Sequence, residues 1–263
     1  FDLAAGNDIP IVAFDSGNVY QGIQCTCKTD NSAATAEGVS KLCEAIGDSG
    51  EVALIVHDSV SESAREREEA FKAALSAEHP EVTVAETIYM DELDEIKKSA
   101  AAEQLGVSLE EIQAQQAAET TDQGEEQTGE ASAVMEEINV AAEGMSDEDA
   151  VAYCLKKHPD LKGCFGTNVD ATQLGLKALG SMEEAEDVVL MGFDAGAAQL
   201  EALESGEIDG LVVQNPFGIG YAAVIASART VLEIGNEAQV NTGYIWVDQE
   251  NLEEDAVQAM LYE

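Results

Sequence analysis

At 263 residues and 45% hydrophobic composition, the chain is long enough for one large or two modest domains with an ample core. It carries 53 acidic against 12 basic residues, a net charge of −41. Such a surface repels nucleic-acid phosphates and anionic lipid headgroups, and it disfavours a polyanionic ligand unless a local basic pocket overrides the field. No apolar run approaches the ~18 residues that span a bilayer, so the chain is read as not membrane-spanning. The five cysteines (Cys25, Cys27, Cys43, Cys154, Cys164) form no CxxC, and His57, His79 and His158 show no ligand spacing. Scattered buried thiols are expected, with no metal and no cofactor.

In chain order, residues 1–8 read as the tail of a helix ending at Gly6-Asn7. Residues 9–14 are a strand closed by Asp15-Ser16-Gly17, and 22–29 an extended stretch. Asp30-Asn31-Ser32 offers helix caps, and Ala36, Val39, Leu42, Cys43 and Ile46 predict a helix over 33–46. Residues 52–56 are a strand ending in His57-Asp58. A helix over 63–77 follows, with Ala70, Phe71, Ala74 and Leu75 inward and Arg65 and Arg67 in its first turn. Cations there oppose the helix dipole, which hints at a task; the alternative is pairing with Glu66, Glu68 and Glu69. Residues 82–88 are the next strand, led in by His79-Pro80, and His158-Pro159 leads into 161–165 in the same way. Both histidines read as helix-end residues, not ligands.

From Met90 the character changes. Residues 99–133 contain no Lys, Arg, aromatic or Pro. Residues 107–118 read as a helix with Ser108 as cap and Glu111 three residues on, and 120–128 as a solvated acidic loop. Residues 94–144 are taken as an insertion, with 99–133 removable at little loss of stability. A helix over 146–157 follows, with Ala150, Val151, Cys154 and Leu155 inward. Residues 163–170 are a strand with a polar end, 172–179 its helix, and 188–191 a strand stopping at Gly192-Phe193-Asp194. The next helix carries Leu200 and Leu203, with Gly206 as C-cap. A strand over 208–213 ends in Gln214-Asn215-Pro216, a helix spans 218–234, a strand 240–247, and a helical or extended segment 251–262.

This alternation of strand and helix implies an α/β chain with doubly wound parallel sheets. The strands end in oxygen- or nitrogen-bearing side chains, where ligands bind in open α/β sheets. There is no GxSxG and no P-loop, and Gly218-Ile219-Gly220 lacks the third glycine of a dinucleotide fingerprint. The candidate set is therefore one for binding: Asp15, Arg67, Asn168, Phe193, Asp194 and Gln214. Their acceptors, donors and aromatic face match a small sugar or polyol, with no catalytic residue and no metal ligand.

Residues 9–17 (IPIVAFDSG), 65–71 (REREEAF), 163–170 (GCFGTNVD), 188–194 (VVLMGFD) and 212–217 (VVQNPF) resemble the ribose-type periplasmic sugar-binding proteins, the type I substrate-binding proteins of ABC importers. The resemblance implies two doubly wound lobes joined by three crossovers that close on one sugar, with the six named positions as sugar contacts and no catalysis. By this analogy, residues 1–29 and 215–244 form the first lobe, 30–214 and 245–263 the second, and 94–144 an acidic insertion in the second. The family carries about three more strand–helix units before the segment resembling 1–17, so the first lobe is expected to be incomplete. Ser16 stands where ribose binders carry arginine. The implied partner is the permease of an ABC transporter, and the location extracellular or periplasmic, with anchoring through an upstream lipidated segment left open. Two rivals share the α/β class. One is the effector-binding domain of a lac-repressor-like regulator, opposed by the charge and the lack of a helix-turn-helix. The other is an α/β enzyme, opposed by the missing motifs.

Overall fold

A computed structural model describes residues 1–122 and 129–261. A four-residue helix, α1 (Asp2–Ala5), leads into β1 (Ile11–Phe14) and β2 (Ile23–Lys28). Then come α2 (Asn31–Ile46), β3 (Gly50–Val56), α3 (Glu62–Glu78) and β4 (Val82–Tyr89). Three further helices, α4 (Leu93–Gln104), α5 (Leu109–Asp122) and α6 (Glu130–Glu143), precede α7 (Asp147–Leu155). The chain continues through β5 (Leu161–Gly166), α8 (Val169–Gly180), β6 (Val189–Phe193), α9 (Ala197–Ser205), β7 (Gly210–Gln214) and α10 (Pro216–Val231). It ends with β8 (Gln239–Asn241), β9 (Tyr244–Val247) and α11 (Asp255–Gln258).

The strands form a six-stranded sheet, in the order β4-β3-β5-β6-β7-β9, and a three-stranded sheet, in the order β1-β2-β8. All pairings are parallel except β7 with β9. Side chains on β3 alternate with the strand's period of two. Ala53 and Ile55 pack with α7, α8 and α9 on one face, while Val52, Leu54 and Val56 pack with α2 and α3 on the other. The doubly wound expectation is thus met in the large sheet. Among the described residues, β1 of the small sheet pairs only with β2, and Cys25, Cys27 and Val240 pack against Ala222, Ala223 and Ala226 of α10. All five cysteines are free and buried, as read from the sequence.

Three departures have clear causes. The expected strand over 240–247 is two strands in different sheets. Gly243, at φ 79°, turns the chain where a side chain would be strained, and β9 enters the large sheet antiparallel. Ala36 is exposed, because Ala34, Thr35, Gly38 and Val39 carry the buried face of α2. The stretch read as a helical and looped insertion buries a core of its own. Ala101 and Ala102 of α4, Ile112 of α5, and Met135, Ile138 and Ala142 of α6 bury one another in a satellite core. Leu93, at the start of α4, belongs to the main core. The expected acidic loop over 120–128 falls mostly on 123–128, outside the described residues.

Candidate functional site

Two strands of different sheets end on an aspartate with the same backbone. Asp15 follows β1 at φ 65°, and its N–H donates to the Cys27 carbonyl of β2 at 2.9 Å. Asp194 follows β6 at φ 73°, and its N–H donates to the Val212 carbonyl of β7 at 2.9 Å. Left-handed backbone is uncommon outside glycine, though Asp is among the residues that adopt it, and it turns each carboxylate out of the pleat at the carboxyl end of its strand. Asp15 is exposed, whereas Asp194 is buried and accepts a bond from Gln214 Nε2 at 2.7 Å. That bond fixes the amide orientation, since a carboxylate only accepts. It leaves Gln214 Oε1 buried with no partner among the described residues.

Arg67 is the cation of the group. It is 3% exposed, in the second turn of α3. Its Nε donates to Asn31 Oδ1 at 3.0 Å and its Nη1 to the Thr167 carbonyl, so the bonds it makes go to neutral oxygens. The guanidinium lies over the Phe193 ring, 4.1 Å from the centroid. Burial lowers its pKa, and the charges of Asp194, Asp15 and Glu66 oppose that shift. Asp15 and Asp194 therefore both lie within electrostatic reach of one buried guanidinium. For Arg67 the alternative of surface pairing with neighbouring glutamates does not hold. Glu66 binds Lys28 and Asn31, Glu68 binds Lys72 and Tyr89, and of the two arginines only Arg65 is exposed. Because α3 begins at Glu62, neither arginine sits in the first turn as expected; both lie further along.

Phe193 takes a role the residue type alone did not predict, while Asn168 takes the helix-capping role its type favours. Phe193 is fully buried, its face under Arg67 and its edge against Phe165, so it supports the guanidinium from below. Asn168 caps α8, its Oδ1 accepting from Ala171 N–H at 2.8 Å, which leaves its amide N–H₂ as a donor.

Sequence reasoning missed four neighbours. Asn31 orients Arg67 through Oδ1 and Glu66 through Nδ2. Thr167 bonds His57 through its hydroxyl, 2.8 Å from Nδ1, and Arg67 through its carbonyl. His57 places Nε2 3.3 Å from Ser61 Oγ. Burial and the charge of Arg67 lower its pKa, against Asp58, Asp194 and Asp15. Lys28, at the end of β2, is buried and donates to Glu62 and Glu66. Each adjoins a strand end or helix start already singled out, but adjacency in sequence does not show which side chains turn inward. Lys28, together with Ser16, whose Oγ accepts from Ser63 N–H at 3.2 Å, ties the small sheet to the start of α3. A concavity of about 800 Å³ lies elsewhere, at the other end of the large sheet, among Leu179, Met182, Val188, Glu183, Asp187 and Glu207. Carboxylates line it too, but Lys177, the cation in its lining, is exposed, so it lacks the buried cation that marks the strand-end group.

Among solved structures, the chain is similar to a carbohydrate-transporter solute-binding protein from Agrobacterium radiobacter in complex with D-arabinose. Identity is 21%, TM-score 0.71, and the match covers 99% of this chain and 73% of that one. It is similar to an ABC-transporter solute-binding protein from Agrobacterium vitis bound with α-D-tagatopyranose, at 21% identity and TM-score 0.72 over 100% and 74% of the two chains. It is also similar to a glucose-galactose binding protein from Geobacillus stearothermophilus, at 20% identity and TM-score 0.68 over 95% and 71%. A search of curated proteins found no match. The model of the periplasmic binding protein domain matches residues 1–122 and 100–235. That match spans most of the sequence, and the sheets have the type I arrangement; the chain belongs to the periplasmic binding protein domain family.

Proposed function

We propose that this chain captures a small sugar or polyol for an ABC importer, outside the cytoplasm, without catalysing a reaction. The observation that carries the reading is Arg67: a buried guanidinium on an aromatic face, bonded to neutral oxygens, with two strand-end carboxylates close by. Perturbed charges of this kind cluster at functional sites. A polyhydroxylated ring offers both donors and acceptors. Asp15 and Asp194 would accept from its hydroxyls, Arg67 and Asn168 would donate, and the unpartnered Gln214 Oε1 would accept one more. The solved relatives bound to D-arabinose and α-D-tagatopyranose agree with a monosaccharide ligand.

On this reading residues 1–29 and 215–244 are one lobe and 30–214 and 245–263 the other. The chain passes between the two sheets after Lys28, Gln214 and Asn241, and those passages are the hinge. The site lies between Asp15 on one side and Arg67, Asn168, Asp194 and Gln214 on the other, with Phe193 behind Arg67. The test is thermal denaturation against pentoses, hexoses and polyols. A ligand at 100 times its dissociation constant raises stability by about 2.7 kcal/mol. A shift confined to one or a few monosaccharides is expected, and no shift with any of them would refute the proposal.

A further inference from the structure

At the opposite end of the large sheet, three side chains of different chemistry converge: Cys43, Asp48 and His79. Their ligand atoms all lie within 4.8 Å of one another. The sequence hides the group because its members are 5 and 31 residues apart, and local chain geometry brings them together. Cys43 lies in the last turn of α2. Gly47, left-handed at φ 77°, and Asp48, at φ 53°, fold the chain back so that Asp48 N–H donates to the Cys43 carbonyl at 2.7 Å. His79 caps the C-terminus of α3, ahead of Pro80. Because β3 and β4 start in register, Gly50 beside Val82, the lead-ins to the two strands run side by side. The His79 ring thus reaches Asp48, Nδ1 to Oδ1 at 2.8 Å.

We propose that Cys43, Asp48 and His79 form a site for one divalent transition-metal ion, Zn²⁺ by preference, with water as the fourth ligand. A thiolate, an imidazole and a carboxylate suit zinc and are the wrong set for Mg²⁺ or Ca²⁺, which take oxygen ligands. Three protein ligands and a water are the usual complement of an open zinc site. A tetrahedral ion with bonds of about 2.0–2.3 Å needs ligand atoms roughly 3.3–3.6 Å apart, so the His79–Asp48 bond would open to admit it. Two helices end here, α2 at Ile46, three residues past Cys43, and α3 at Glu78, just before His79, and their C-terminal carbonyls favour a cation. Lys162 donates to the Ser49 carbonyl at 2.8 Å. Burial and the charge of Asp48 push the Cys43 thiol up to about 11, so binding would expel its proton and tighten as pH rises. The site is independent of the sugar reading, since it faces the amino ends of the strands.

The test is a cobalt(II) titration of the reduced, metal-stripped protein, followed by displacement with zinc and calorimetry. A thiolate-to-cobalt charge-transfer band saturating at one equivalent is expected. The band separates a true site from loose binding to a surface of net charge −41. His79→Gln and Cys43→Ser should each abolish the band and weaken zinc binding by about 100-fold or more, beyond the 10–100-fold typical of losing a supporting residue. His79 is not a core residue, so its variant decides the matter even where Cys43→Ser folds poorly. Absence of the band, or a band undiminished in His79→Gln, would overturn the site.

Discussion

Asp15 and Asp194 are a matched pair. Each ends a strand in left-handed backbone, at φ 65° and 73°, and each donates its N–H at 2.9 Å to the strand beside it. The small sheet and the large sheet thus present a carboxylate by the same device, each within electrostatic reach of the same buried arginine. The backbone role and the carboxylate role can be separated. Asp15→Gly supplies a residue at ease with positive φ, and its stability should stay within about 1 kcal/mol of the parent in urea denaturation. Sugar affinity should nonetheless fall tenfold or more, because the exposed carboxylate is gone. Equal affinity would remove Asp15 from the site.

Arg67→Met keeps much of the aliphatic stem and deletes the charge. It leaves Asn31 Oδ1 and the Thr167 carbonyl without their donor, so a loss of about 2–4 kcal/mol is expected by denaturant titration. Arg67→Lys should not restore affinity, since an ammonium cannot stack flat on Phe193 while reaching both oxygens. A change below about 1 kcal/mol is what an exposed ion pair would give, and it would contradict the buried placement.

His57 should make stability depend on pH in a defined direction. Its folded pKa is depressed below 6.5 by burial and by Arg67. As pH falls through 6.5 the unfolded chain takes up a proton that the folded chain refuses, so stability present above that pH is lost below it. The fall in net negative charge acts on parent and variant alike, so the difference between parent and His57→Gln is the clean quantity. That difference should shrink between pH 7.5 and 5.5, by at most about 1.4 kcal/mol per pH unit. A difference that is flat or grows on acidification would show that the ring is not held neutral.

The helical segment from α4 to α6 should not be freely removable, contrary to what its composition suggests. Deleting residues 99–133 would remove Ala101, Ala102 and Ile112 and expose Met135 and Ile138. Burial of those side chains predicts a loss of about 2 kcal/mol or more in chemical denaturation. An unchanged midpoint would mean that the satellite core adds nothing to the main sheet.

Most of the large sheet was legible because strands such as β3, β6 and β7 carry short apolar runs closed by a polar residue, and helices such as α2 repeat at 3.6 residues; Gly206 ends α9 in left-handed geometry as expected. The satellite core was not, because Ala101, Ala102 and Ala142 are small, and their burial depends on helices meeting across the stretch read as an insertion. Of the strand-end residues, Asp15, Asp194 and Gln214 could be picked out by position. Phe193 was legible as apolar but not as the support under Arg67, and Asn31 read only as a capping candidate. Cys43 and Asp48 meet through the turn after α2, but His79 joins them only through the register of β3 and β4, which no local pattern encodes.

The account turns on Asp194, and calorimetric titration of Asp194→Asn and Asp194→Ala against the best-binding sugar tests it most directly. Asparagine tolerates the left-handed backbone and keeps an acceptor for Gln214, so Asp194→Asn isolates the lost charge. Charge-assisted bonds are worth about 1.5–3 kcal/mol each, and each 1.4 kcal/mol is tenfold in affinity. The dissociation constant should therefore rise about tenfold or more in Asp194→Asn, and about a hundredfold or more in Asp194→Ala. A dissociation constant unchanged in folded Asp194→Ala would contradict the strand-end site and the roles given to its neighbours.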